Sequence, residues 1–207
     1  MIITAISLPL FLVALWIMSG YLPTRNIAMP TYSLVATKNG YEIRRYDPYI
    51  IAEASMASES GSSGFNDLFR YISGNNTGWS KLTMTSPVLK STDGDGRKLA
   101  MTAPVLEQNA EGSGTISFIM PPGSTLGELP EPRSPKVTLR EIPGHQVAVM
   151  RFSGVSDTGT VKEKTERLLG ALRQDGVKIR STPVTALYNP PWTPPFMRRN
   201  EVMVDVE

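Results

Sequence analysis

The chain has 207 residues, 41% of them hydrophobic, and a formal net charge of +2. It is long enough for one sizeable core, and a charge so small, with no basic stripe among aromatics, does not mark a nucleic-acid binder. The absence of cysteine excludes disulfides and thiolate metal sites, and a single histidine leaves little imidazole chemistry.

From Ile2 to Leu22 the chain is almost wholly apolar and carries no Asp, Glu, Lys, Arg or His. About 20 apolar residues suffice to cross a bilayer, so residues 1–23 are expected to form a hydrophobic helix that anchors the chain in a membrane. A cleaved signal peptide, leaving a secreted or periplasmic domain, is the competing reading. Against it, no Lys or Arg precedes the apolar core, and Met18-Ser19-Gly20 is a poor cleavage site. Arg25 and Lys38 follow the span, which leans the orientation toward a cytoplasmic domain. Residues 24–33 read as a tether and 34–207 as the folded domain.

Tyr41-Glu42-Ile43-Arg44-Arg45-Tyr46 alternates as a strand, Asp47-Pro48 turns the chain, and Tyr49 to Met56 continues as a second strand. After a Ser/Gly run, Phe65, Leu68, Phe69 and Ile72 fall at i, i+3, i+4 and i+7, one face of a short helix. Asn75-Asn76-Thr77-Gly78 ends it; the first three residues form a glycosylation sequon, read here as a helix-ending turn.

Next comes a segment that nearly repeats itself. Lys81-Leu82-Thr83-Met84-Thr85-Ser86-Pro87-Val88-Leu89 returns 17 positions later as Lys98-Leu99-Ala100-Met101-Thr102-Ala103-Pro104-Val105-Leu106. With Thr92-Asp93-Gly94-Asp95-Gly96 between them, the copies read as a hairpin, Pro87 and Pro104 at strand ends or open edges, and Met84 and Met101 filling core gaps beneath. Asp93-Gly94-Asp95-Gly96 opens like a calcium loop, but its twelfth position is Pro104 and not Glu. Residues 107–114 read as a flexible loop, Thr115 to Met120 as a strand, and 121–136, with five prolines, as an extended crossover.

The order of elements then recurs. Val137 to Ile142 and Gln146 to Phe152 read as strands around Pro143-Gly144. Asp157 or Thr158 can cap a helix with Val161, Leu168, Leu169 and Leu172 on its apolar face, closed by Gly176. An ungapped shift of 96 positions lays Tyr41 on Val137, Ala52 on Ala148, Pro87-Val88 on Pro183-Val184 and Met101 on Met197. The reading is an internal duplication, pseudo-repeats 41–106 and 137–206, within one α+β domain. Tyr188 to Arg199 is a proline-stiffened loop that displays Trp192 and Phe196, and a strand from Glu201 to Val206 ends the domain.

The chain resembles the SOUL haem-binding protein family in Tyr41 to Tyr46, in the paired Met-Thr-x-Pro-Val segments and in Val147 to Gly154. The match is strongest in Tyr188-Asn189-Pro190-Pro191, Pro194-Pro195-Phe196 and Arg198-Arg199-Asn200-Glu201-Val202. It spans about Tyr32 to Val206. The resemblance implies duplicated βαββ-type halves forming a distorted antiparallel eight-stranded barrel with two helices. It also implies non-covalent binding of a b-type haem or another porphyrin in a shallow apolar groove beside the first helix and the C-terminal loop.

Such binding needs a flat apolar surface, cations for the propionates and, optionally, an axial ligand. Phe65, Phe69, Ile72, Trp192 and Phe196 can supply the surface, and Arg70 and Arg198 the cations. Where family members carry methionines and a cation on this helix, Phe65, Phe69 and Arg70 stand here. His145 is the only imidazole available to ligate iron, with an exposed turn residue as its alternative identity; ligation can also be absent or come from Tyr or Met. No Ser/His/Asp order, P-loop or dinucleotide fingerprint is present. Three functions remain open: a membrane-tethered tetrapyrrole carrier, buffer or sensor; an interaction module taking a peptide or amphipathic helix in the same groove; and an enzyme acting on a tetrapyrrole.

Overall fold

Alternation of side chains along each strand decides which face of the sheet is buried under helices, and that division places every candidate site residue. The computed structural model describes residues 11–12, 15–18, 20, 27–56, 62–77, 96–110 and 113–207. Residues 11–12, 15–18 and 20 are helical, and no helix among the described residues is long and apolar enough to cross a membrane; most of the expected anchor, residues 1–10 included, lies outside them.

Among the described residues eleven strands follow in chain order: β1 (Tyr32–Lys38), β2 (Tyr41–Tyr46), β3 (Tyr49–Met56), β4 (Asn76–Thr77), β5 (Val105–Ala110), β6 (Ser113–Ile119), β7 (Glu131–Pro132), β8 (Val137–Ile142), β9 (His145–Phe152), β10 (Val184–Leu187) and β11 (Asn200–Val206). Helix α1 (Ser62–Ile72) follows β3, and α2 (Thr158–Gln174) follows β9. Nine strands form one antiparallel sheet in the order β1-β2-β9-β11-β10-β5-β6-β3-β8, while β4 and β7 pair separately.

Both helices cover the same face. On β3, Ile50, Ala52 and Ala54 pack with Leu68, Tyr71 and Ile72 of α1, over Ile116 and Phe118 of β6. On β9 and β11, Ala148, Met150, Phe152, Val202 and Val204 pack with Leu168 and Leu172 of α2. The alternate residues, among them Tyr49, Glu53, Ser117 and His145, point to the opposite, inner face. As expected, Asp157 caps α2, its Oδ1 accepting the Thr160 N–H at 3.0 Å, and Gly176, at φ +67°, ends it.

Among the described residues the sheet is open, with β1 and β8 as edges, where the resemblance implied a closed eight-stranded barrel. The additional strand is β1, part of which was read as tether. Its side chains are mostly exposed, so no apolar period announces it; backbone pairing with β2 and the Tyr32 ring, 5.2 Å from that of Tyr46, hold it.

The expected Met-Thr hairpin is not formed by the second copy. Val105 pairs with Phe118 of β6 on one side and Leu187 of β10 on the other, so β5 has no free edge for the first copy. The first copy and most of the turn, residues 78–95, lie outside the described residues. Before Val105 the second copy is irregular, held by Leu99 N–H to Ile72 C=O (2.8 Å) and Ala103 N–H to Ala28 C=O (3.0 Å). Pro104 does sit just before a strand, but Met101 is exposed, not a core filler. The span 107–114, expected to be a loop, falls largely within β5 and β6, which pair from Val105 with Phe118 to Ala110 with Ser113.

A shift of 96 lays β2 on β8 and β3 on β9 end to end and starts α1 and α2 together. Beyond the helices the shift changes. With β1 set aside, the other eight strands have β10 and β5 side by side at their centre, and Val105 to Val184 is 79 positions, 17 short of 96. Seventeen is also the spacing of the two Met-Thr copies. It is Val105 that stands in the strand beside Val184, while the first copy, with Pro87-Val88, lies outside the described residues.

Candidate functional site

Helix α1 is held close to the sheet by Gly64. A Cβ there would lie 2.8 Å from both the Ser55 carbonyl oxygen and Ile116 Cγ2, so a larger residue would push the helix away. At the other end, Tyr71 Oη donates to Pro130 C=O at 2.9 Å, and the buried Asn76 amide donates to Tyr71 C=O and Arg97 C=O while accepting Arg97 N–H. These contacts satisfy the terminal carbonyls and fix the helix rotation.

That rotation splits the face read from sequence. Leu68 and Ile72 are core, Ile72 only 5% exposed, so Ile72 cannot touch a ligand and is removed from the candidate surface. Tyr71, which the i, i+3, i+4 count passed over, takes the place beside them. Phe65 and Phe69 stay 37% and 47% exposed. Their rings are parallel within 8° at 6.2 Å between centroids, and Phe65 stands edge-on to Phe118 at 5.3 Å. The arrangement is a solvent-facing stacked aromatic shelf with one ring braced by the core. Arg70, in the last turn, is exposed and makes no ion pair among the described residues.

The C-terminal loop displays Trp192 and Phe196, 58% and 66% exposed. Its packing joins it to the β9–α2 connection through Gly154 N–H to Pro195 C=O (3.0 Å), and to the N-terminal helical residues through Trp16 Nε1–H to Trp192 C=O (3.0 Å). No hydrogen bond, ion pair or ring contact joins this loop to α1 among the described residues. Arg198 donates from Nε to Thr193 C=O at 2.7 Å and also to Pro191 C=O. Its guanidinium staples the loop, a use that competes with the propionate role expected of it.

His145 opens β9 on the inner face. Its Nδ1 donates to Pro143 C=O at 2.8 Å, and Nε2 lies 3.5 Å from Asp205 Oδ1. The sheet separates it from Phe65 and Phe69, so one macrocycle cannot use both.

The residues that carried the family resemblance meet somewhere else. Glu201 is fully buried and accepts from Arg44 (3.0 and 3.2 Å), Arg199 (3.0 and 2.8 Å) and Tyr188 Oη (2.6 Å). Arg44 also pairs with Glu42 at 2.7 Å, so two guanidiniums face two carboxylates. Burial alone would raise the Glu201 carboxyl, but the Tyr188 and Arg44 hydrogen bonds outweigh it and hold the group below its usual value. Burial, reinforced by the Glu201 charge, pushes the Tyr188 hydroxyl up. Arg199 stacks over the Tyr188 ring at 4.0 Å and Arg44 over that of Tyr32 at 4.6 Å. This network joins β2 to β11 across β9. The signal for it was the alternation of Glu42, Arg44 and Tyr46 along a strand, which puts two charges and a phenol on one face.

Fold and surface together define a two-layer α+β domain: two helices on one face of an antiparallel sheet, one of them carrying an exposed aromatic pair. The chain belongs to the SOUL heme-binding protein family, whose model matches residues 27–205. No curated protein matches it in sequence. In fold it is similar to the EcmrR C-terminal domain, at a TM-score of 0.54, 12% identity and coverage of 85% of this chain and 98% of that one. A hydrolase from Listeria innocua aligns at 0.52 with 14% identity, covering 84% and 94%. At such identities these two share only the fold with this chain.

Proposed function

We propose that the protein binds a haem or another porphyrin non-covalently, its macrocycle laid on Phe65 and Phe69 of α1 with Arg70 at the rim for a propionate. The observation that carries this reading is the parallel, half-exposed phenylalanine pair, in a chain whose family is named for heme binding. Apolar surface held out of the core by a well-fixed helix stabilises little unless something flat covers it. No histidine serves this shelf, so the account needs no imidazole ligand. Trp192 and Phe196 stand exposed on the C-terminal loop. A carrier, buffer or sensor role suits an open shelf from which ligand can leave.

Hemin titration of the full-length chain, followed in the Soret band, tests the shelf. Saturable binding is expected in the parent and in His145→Ala, with a loss of tenfold or more, about 1.4 kcal/mol, in Phe69→Asp. Unchanged binding in Phe69→Asp would remove α1 as the site. No saturable binding in any form would turn attention to a peptide or amphipathic helix on the same shelf.

The second part of the proposal is that the apolar run Ile2 to Leu22, without Asp, Glu, Lys, Arg or His, tethers the domain to a membrane. Deleting residues 1–23 is expected to move the protein from the membrane fraction to the soluble fraction. Equal partition of both forms would contradict the tether.

A further inference from the structure

We propose a second ligand site on the inner face of the sheet, fitted to a small aromatic organic cation such as an alkylated ammonium. It goes beyond the porphyrin reading and does not depend on it. A cavity of about 260 Å³ opens there between β3, β5, β6 and β8, with the edge of β9 and residues 181–184 closing it. Drug-sized sites run to roughly 300–1,000 Å³, so this one admits a one-ring molecule and excludes a macrocycle.

The walls state the chemistry. Tyr49, Ile51, Leu106 and Ile142 supply apolar and aromatic surface, and Tyr49 lies against the ring of His145 at 6.0 Å. Glu53 and Asp205 supply negative charge. Arg140 is the one Lys or Arg of the lining, and it is already engaged, 2.9 Å from Glu53 Oε2. Ser117 Oγ reaches the same oxygen at 3.4 Å, which leaves Glu53 Oε1 with no hydrogen-bond partner among the described residues. The Tyr49 hydroxyl has none either. Gln108 is turned to Thr182. An anion entering here would face two carboxylates and a spent guanidinium. A cation with an aromatic body would meet a free carboxylate oxygen and a tyrosine face. A bare metal ion is not favoured: no group of three or more potential metal-binding side chains exists among the described residues.

The pairing of Arg140 with Glu53 gives the site a signature that ordinary hydrophobic binding lacks. Arg140 is exposed and competes with the ligand for Glu53, so removing it should help the ligand. Calorimetric titration of the full-length chain with benzyltrimethylammonium, and with benzoate as an anion of similar size, reads this directly. Expected results are weakening by about tenfold in Glu53→Gln, strengthening by severalfold in Arg140→Gln, and no change in Phe69→Asp. Benzoate should bind more weakly than the cation to every form. Absence of benzyltrimethylammonium binding in both the parent and Arg140→Gln would overturn the proposal. So would parent-like affinity in Glu53→Gln, or benzoate binding that Arg140→Gln abolishes. Because hemin binding is read on Phe69→Asp, failure here leaves the porphyrin reading standing, and the reverse also holds.

Discussion

Helices α1 and α2 occupy matching places on one face of the sheet, and they spend their apolar residues differently. In α2, Leu168 and Leu172 are fully buried, and the outer side is charged, with Glu163 3.9 Å from Arg167 and 2.8 Å from Lys164. In α1, Leu68, Tyr71 and Ile72 do the packing, and Phe65 and Phe69 remain in solvent. The α2 stripe is as wide as its packing requires. The α1 stripe is wider, and the excess is aromatic. Excess apolar width on a helix whose rotation is fixed is the feature that separates a binding face from a structural one.

The sharpest way to break this comparison is through the charge network beneath the α2 half. Glu201→Ala strips Arg199 of its carboxylate and leaves Arg44 only Glu42, and should cost about 3–5 kcal/mol in urea unfolding, because the two guanidiniums lose the buried carboxylate they share. A change under about 1 kcal/mol would mean the network is solvated in solution. The same carboxylate sets an acid limb. Its folded value lies below its unfolded one, so its contribution is complete above the unfolded value and is lost as pH falls through the lower folded value. Urea midpoints should therefore drop on acidification below about pH 4.5, the ordinary Glu value, and Glu201→Gln should flatten that limb.

Next in size, Leu168→Ala should destabilise by about 2–5 kcal/mol through the cavity it opens, with hemin binding unchanged where the protein stays folded. Asp157→Ala removes the α2 cap and should lower the urea midpoint by less than Leu168→Ala does. Smallest of all, Phe69→Ala should shift stability by no more than about 0.5 kcal/mol while weakening hemin binding. If Phe69→Ala proved as damaging as Leu168→Ala, the ring would be core and the contrast between the helices would collapse.

Local pattern carried much of this legibly. The strands Tyr41–Tyr46, Val137–Ile142 and His145–Phe152, both helices, the Asp157 cap and the Gly176 stop follow from alternation, a 3.6-residue period and turn chemistry. What pattern could not supply was rotation and pairing. A count of i, i+3, i+4 cannot tell Ile72 inside from Phe69 outside, because helix rotation is set by Gly64 against β3 and by Asn76 below. Strand β1 had no apolar period to show. The Met-Thr repeat suggested a hairpin because pairing was judged from neighbours in sequence, whereas β5 satisfies both edges with β6 and β10. Arg198 looked like a free cation for want of any sign that loop carbonyls would claim it.

Hydrogen exchange of the full-length chain, with and without hemin, tests the central claim that the ligand lies on α1. Hemin should slow exchange in peptides spanning 62–72, and leave 158–174 and 188–199 as they were. Protection confined to 188–199, or to the inner-face strand 49–56, with 62–72 unchanged, would contradict the account and move the porphyrin off the phenylalanine shelf.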